Sequence, residues 1–189
     1  IRELAMLVLV SAAVSYLLTG VVRYVLVRSG WLDAPRTRDV HDIPKPRLGG
    51  VAMYSGVVAA IALASVMPAL TRGFPPMTPD MRAVVAAASL LLIVGIWDDL
   101  FDLDAITKLI GQVAAALLMS FMGVNWYLLY IPFSGGATLI LDPIMSTVLT
   151  VLFTVALINA FNFVDGIDGL AAGLGMIAAA AILVYSMVM

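Results

Sequence analysis

The chain has 189 residues, 63% of them hydrophobic and 12% charged, with a mean hydropathy of +1.09. A soluble domain needs far more surface charge, so this composition excludes one. A net charge of −2 gives no footing for a nucleic-acid partner, and the absence of Cys excludes disulfides, zinc–thiolate sites and a thiol nucleophile.

Six apolar segments follow in chain order, at about 4–27, 48–70, 83–97, 109–129, 146–160 and 170–189. Runs of about 20 apolar residues read as membrane spans, which predicts an all-α polytopic membrane protein with about six transmembrane helices in a single domain over 1–189. The third and fifth runs are short for a span, so flanking residues must complete the helix or let it end inside protein. The first run lacks a following cleavage site and soluble domain, and therefore reads as a span rather than a removed signal peptide. The chain starts without Met and stops inside an apolar run, which reads as part of a longer protein.

The connections alternate in character. Residues 28–47 carry five bases, Arg28, Arg36, Arg38, Lys45 and Arg47, whereas 126–145 carries neither Lys nor Arg. The positive-inside rule then places 28–47, 98–108 and 159–169 in the cytoplasm. Nine of the twelve acids fall on that same side: Asp33, Asp39, Asp42, Asp98, Asp99, Asp102, Asp104, Asp165 and Asp168. Acids gain little from the positive-inside effect, so this concentration marks the face where chemistry is expected. On the opposite side, two β-prone runs flank Gly135-Gly136 over 127–141 and predict a small outer-face hairpin with interfacial aromatics.

Four signals on the acidic side carry chemistry. The first is the basic stretch from His41 through Pro44-Lys45-Pro46-Arg47 to Gly49-Gly50, stiffened by its prolines. Lys45 and Arg47 suit a diphosphate or lipid phosphate, and equally suit an anchor on anionic lipid. The second is Asp98-Asp99-Leu100-Phe101-Asp102, directly after the third run. On a helix these carboxylates crowd one side and call for a counter-charge such as Mg²⁺ with bound phosphate; a solvated helix start is the plainer alternative. The third is Lys108 with Gln112 at i,i+4, where Lys108 either faces the acids and a phosphate or snorkels to the headgroups. The fourth is Asn159, Asn162, Asp165 and Asp168, polar at every third position, with Gly166 and Gly169 between spans. These oxygen donors suit Mg²⁺, and an interhelical hydrogen-bond network is the alternative.

Taken together, HxxPxPRxGG (41–50), DDxxD (98–102), KxxxQ (108–112) and NAxNFxDGxDGLAAG (159–173) resemble the polyprenyl-phosphate N-acetylhexosamine-1-phosphate transferases, glycosyltransferase family 4. The wording is more similar to the branch that uses UDP-GlcNAc than to the branch that uses UDP-MurNAc-pentapeptide. The resemblance implies catalytic roles for Asp98 and Asp99. It implies a metal set of Asp98, Asp99, Asn162 and Asp165, holding Mg²⁺ with Mn²⁺ as an alternative. It implies substrate contacts from Lys45, Arg47, Asp102, Lys108, Asn159 and Asp168, and a homodimer. It further implies a bacterial inner-membrane enzyme, with polyprenyl phosphate attacking UDP-GlcNAc at a cytoplasmic site and UMP leaving. Family members are about twice this length, so the chain reads as their N-terminal half, without a later Gly-Asp-x-Gly-Ser-type metal aspartate or a His-containing loop. A lipid phosphate is largely dianionic at neutral pH, its second pKa being about 6, so Asp98 need not act as a general base.

Three other readings compete. A membrane prenyltransferase needs a second Asp-rich motif, and the second motif here is rich in Asn and Gly. A CDP-alcohol phosphotransferase needs an Arg that the stretch from Asp168 to Gly173 lacks. A non-catalytic scaffold uses its polar residues only to pack spans together.

Overall fold

A computed structural model gives the fold and describes residues 2–30, 48–73, 78–131, 138–165 and 169–188. Seven helices and one small hairpin make up these residues. The helices are α1 (Arg2–Ser29), α2 (Gly49–Val66), α3 (Pro68–Gly73), α4 (Pro79–Phe101), α5 (Ala105–Phe121), α6 (Pro143–Val164) and α7 (Leu170–Val188). The protein is an all-α polytopic membrane protein, as its sequence predicts. By length and composition α1, α2, α4 and α6 can each cross a bilayer, while α5 and α7 are shorter apolar helices.

The two runs that looked short are completed by their flanks. The third run extends in both directions into the 23 residues of α4, about 34 Å at 1.5 Å per residue, enough for the hydrocarbon core. Pro79 opens this helix, where its missing N–H costs nothing, and Thr78 caps it by accepting from the Met81 amide. The fifth run likewise becomes the 22 residues of α6, with Pro143 in the first turn and Asp142 as N-cap, accepting from the Ile144 and Met145 amides.

Two other runs end earlier than hydropathy suggests. The second breaks at Met67, before Pro68 starts the separate short α3. The fourth stops at Phe121 rather than near 129, because Gly123 turns with φ +104° and Asn125 Nδ2 donates back to the Ser120 carbonyl at 2.7 Å. A 17-residue α5 spans only about 26 Å. It still runs the length of the bundle, since Lys108 meets α4's C-terminal end and Ser120 meets Thr147 near α6's start.

Packing follows membrane rules, in which small side chains let backbones approach. The buried residues include Ala52 and Gly56 of α2, Ala83 and Ala87 of α4, and Ala115, Ala116 and Ser120 of α5. Gly56 faces Ser11 and Ser15 of α1 so closely that a Cβ there would lie 2.1 Å from Ser15 Oγ. Gly111 of α5 has Val94 of α4 against it, at 2.8 Å from the place a Cβ would take. Successive contacts run antiparallel: Leu48 to Asp99, Gly50 to Leu92 and Tyr54 to Ser89 join α2 to α4. Large apolar side chains such as Leu9, Leu17, Phe163 and Ile182 face outward, as they do where lipid is the solvent.

The hairpin forms where it was expected. Strand β1 (Leu128–Tyr130) pairs antiparallel with β2 (Thr138–Ile140), with Leu128 opposite Ile140 and Tyr130 opposite Thr138. The Leu141 amide donates to the Tyr127 carbonyl at 2.9 Å, which carries the pairing to the full 127–141 range. Gly135-Gly136 lies outside the described residues.

Candidate functional site at the acidic ends of the helices

Asp98 and Asp99 sit in the last turn of α4, not at a helix start. That position matters electrostatically. The C-terminal end of a helix carries partial negative charge, so two carboxylates there are disfavoured by about 0.3–1 kcal/mol each unless a donor meets them. Each has one. Lys108 Nζ donates to Asp98 Oδ2 at 2.6 Å, with the two side chains 34% and 23% exposed. The Leu48 amide donates to Asp99 Oδ2 at 2.9 Å.

The local sequence explains both contacts. Asp102 adopts φ 49° and closes α4, its amide donating to the Asp98 carbonyl at 2.9 Å. Asp104 then caps α5 through the Ile106 and Thr107 amides and the Thr107 hydroxyl. A turn of only 102–104 folds α5 back along α4 and brings Lys108, in its first turn, beside Asp98. The Thr107 hydroxyl, followed by the Thr107 amide, holds the Asp104 carboxyl below its usual value. Leu48 takes a left-handed conformation (φ 69°) immediately before α2, which turns its amide onto Asp99.

Asp98, Asp99 and Lys108 share a cleft of about 770 Å³ with Asn162 and Asp165 from the end of α6. Much of its remaining wall is apolar, formed by Val51, Met53 and Tyr54 of α2 and by Leu91 and Leu92 of α4, while Ser11 and Ser15 of α1 add polar groups. One cleft thus has charge at one end and hydrocarbon along its side.

The other sequence-predicted residues fall elsewhere. Lys45, Arg47 and Asp168 lie outside the described residues, as does His41. Asp102 serves as the α4 C-cap and does not line the cleft. Asp98 and Asp99 remain helical while Asp102 leaves the helix, so the three do not form the one-sided carboxylate row expected of a continuous helix. Asn159 is also outside the cleft lining. Its Nδ2 donates to Gln112 Oε1 at 2.6 Å and to the Val155 carbonyl at 2.8 Å. Of the two roles weighed for Lys108, facing the acids is the one the structure has.

Sequence reasoning singled out Gln112 beside Lys108 without giving it a partner, and did not find the Leu48 amide. The Gln had a signal, being an amide in an otherwise apolar stretch of α5, where a lone polar side chain needs a partner. The Leu48 amide had none, since its left-handed turn is not visible in side-chain identities.

Among the described residues, no group of three or more His, Cys, Asp or Glu converges to hold a metal alone. This donor set suits Mg²⁺ of a particular kind: an ion taking one or two protein carboxylates and completing its shell with phosphate oxygens and water.

The fold and cleft define an integral membrane protein with a charged cleft at the ends of its helices. The chain belongs to glycosyl transferase family 4, whose model it matches over residues 81–189. It is 53% identical to the decaprenyl-phosphate N-acetylglucosaminephosphotransferase of Mycolicibacterium smegmatis over 98% of this chain and 46% of that protein. The enzyme of the same name from Mycobacterium tuberculosis is 50% identical over the same shares, 98% and 46%. A probable undecaprenyl-phosphate N-acetylglucosaminyl 1-phosphate transferase of Bacillus subtilis is 34% identical over 95% of this chain and 47% of that protein. The chain spans about half the length of these curated relatives. No solved structure matches it.

Proposed function

We propose that the protein transfers GlcNAc-1-phosphate from UDP-GlcNAc to a polyprenyl phosphate, making polyprenyl-diphosphate-GlcNAc and releasing UMP. The observation that carries this reading is the single cleft that joins Asp98, Asp99, Lys108, Asn162 and Asp165 to an apolar wall. Family membership supports the reaction class, the names of the relatives supply the polyprenyl-phosphate acceptor and the transferred group, and UDP-GlcNAc as donor rests on the resemblance. The site is taken to face the cytoplasm of a bacterial inner membrane, following the distribution of Lys and Arg in the sequence. A homodimer is part of this reading only through the resemblance.

In the proposed reaction an oxygen of the lipid phosphate attacks the β-phosphorus of UDP-GlcNAc. A phosphorus–oxygen bond forms there as the bond to UMP breaks. Both substrates are anionic, so the protein's task is mainly positioning and charge neutralisation. Lys108, which meets Asp98 and lines the cleft, would hold a phosphate oxygen on the α5 side, exchanging part of its contact with Asp98 for the substrate. Mg²⁺, or Mn²⁺ in its place, would be held among Asp98, Asp99, Asn162 and Asp165, with one or two of the carboxylates in direct contact, and would offset the charge of the diphosphate. Asp99 accepts from the Leu48 amide and so holds the start of α2 beside the acids; Lys45 and Arg47 enter this reading as phosphate contacts through the resemblance alone. The apolar wall of α2 and α4 suits the first isoprene units of the acceptor.

The test is UMP release by the full-length protein in membranes supplied with Mg²⁺, polyprenyl phosphate and UDP-GlcNAc, beside an Asp99→Asn control. Release that needs both substrates and metal, and is lost in the control, supports the reading. Release only with UDP-MurNAc-pentapeptide would replace the donor. No release from folded protein with either donor would leave a scaffold.

A further inference from the structure

The acidic end of the cleft is built from the ends of two helices, α4 and α6, that lie on either side of α5. The described hydrogen bonds between helices at this end show how α5 holds them. Lys108 reaches α4 through Asp98, and one turn later Gln112 reaches α6 through Asn159. Gln112 is only 3% exposed, whereas Asn159, Asn162 and Asp165 are exposed. Beyond Asn159, α6 runs on for about one turn to Val164, and Asp165 caps it. Asn162 and Asp165 therefore project from a helix end whose nearest described side-chain tie to the bundle is Gln112.

The chemistry of the pair fits a fixed mount better than a substrate contact. A carboxamide has two N–H donors, and Asn159 directs its Nδ2 to Gln112 Oε1 at 2.6 Å and to the Val155 carbonyl at 2.8 Å. One bond locks the side chain to its own helix and the other locks the helix to α5. Gln112 supplies an acceptor without the charge that a carboxylate would bring into this buried position. A shift of about 1 Å in a helix end is enough to spoil a positioned site.

We infer that Gln112 is a positioning residue: by accepting from Asn159, it sets Asn162 and Asp165 opposite Asp98 and Asp99. This rests on the proposed phosphotransfer for its kinetic consequences, and on the hydrogen bond alone for its structural ones.

The experiment uses the full-length protein with Gln112→Met, Asn159→Leu and the two combined. Gln112→Met keeps the side chain's length and removes the acceptor. Thermal unfolding comes first, because it does not depend on any assumed reaction. The two single changes should lower the melting temperature by similar amounts, and the double change should lower it no further than the larger single. Additive losses would overturn the pairing. UMP release is then measured against Mg²⁺ concentration at saturating substrates, normalised to folded protein. Gln112→Met should lower kcat about tenfold, the scale of one unmade buried hydrogen bond, and raise the Mg²⁺ needed for half-activation several-fold. Gln112→Glu, which keeps the acceptor, should recover much of the metal response even where its yield is lower. An unchanged Mg²⁺ requirement in Gln112→Met would overturn the positioning role and leave Gln112 purely structural. If the unmodified protein released no UMP while the unfolding temperatures remained coupled, the function would be wrong and the mount would stand.

Discussion

Helices α5 and α6 are joined by polar side chains at both ends, and the two junctions are built differently. At the hairpin end every partner is neutral. Ser120 Oγ donates to Asn125 Oδ1 and, at 3.3 Å, to Thr147 Oγ1. The Trp126 amide donates to Thr150 Oγ1 at 3.0 Å, and Thr150 Oγ1 in turn donates to the Ser146 carbonyl at 2.8 Å. Trp126 also packs on Phe153, with ring centroids 4.4 Å apart. At the acidic end, one neutral tie between Gln112 and Asn159 stands beside an ion pair and a cleft. Polar residues at the end of a span are expensive in lipid, so both junctions must be used. The hairpin end turns most of its polar groups on itself, leaving Ser146 Oγ buried without a hydrogen-bond partner among the described residues, and makes a knot. The acidic end leaves charged groups along a cavity and makes a site.

This contrast can be broken at either end, with different results. The largest effect is expected from Asp98→Ala, which removes the carboxylate that Lys108 meets. UMP release by the full-length protein should fall by roughly 10³-fold, the scale for losing a key electrostatic group, with the protein still folded. Lys108→Met should cost about 10- to 100-fold in the same assay, corresponding to one charged hydrogen bond. At the other end Asn125→Ala should do the reverse. It should destabilise the protein by about 1–2 kcal/mol in thermal or denaturant unfolding, as expected for broken hydrogen bonds in a closed network, and leave kcat per folded molecule unchanged. A loss of kcat there would erase the distinction between knot and site.

The smallest effect concerns the turn between α4 and α5. Asp104 has its carboxyl held below the ordinary value by the Thr107 hydroxyl and amide. A lowered native pKa contributes stability above the unfolded pKa, and that stability is lost as pH falls through the native one. Asp104→Ala should therefore lower the melting temperature slightly at neutral pH. The gap between variant and parent should close as pH falls below about 4, the ordinary carboxyl range, and on through the lowered value.

Much of this architecture was legible because membrane spans announce themselves by hydropathy. What hydropathy misread were the ends. It saw α4 only as 83–97, because Asp80, Arg82, Asp98 and Asp99 lower the average although the backbone stays helical. It ran the fourth span on to 129, because Trp126, Tyr127 and Leu128 are apolar although Gly123 has already turned the chain. The candidate site shows the same division. Residue type and spacing pointed to Asp98, Asp99, Asn162 and Asp165, which the fold does bring to one cleft. They also pointed to Asp102 and Asn159, which cap α4 and tie α6 to α5 outside the cleft lining, since a polar residue at a span boundary suits both a ligand and a backbone end. Only three-dimensional placement separates those uses. The pairings of Lys108 with Asp98 and of Gln112 with Asn159 depend on the short turn at 102–104, which fixes how far α5 folds back along α4.

The central claim is that the end of α4 and the end of α6 form one site. It is tested most directly by a double-mutant cycle on UMP release with Asp98→Glu, Asp165→Glu and both together. These changes keep the charge and lengthen the reach, so residual activity remains measurable. Residues sharing one network show coupling of about 0.5–3 kcal/mol. The account predicts a double variant at least fivefold more active than the product of the two single losses. Losses that simply multiply would mean that the two helix ends act independently, and would contradict it.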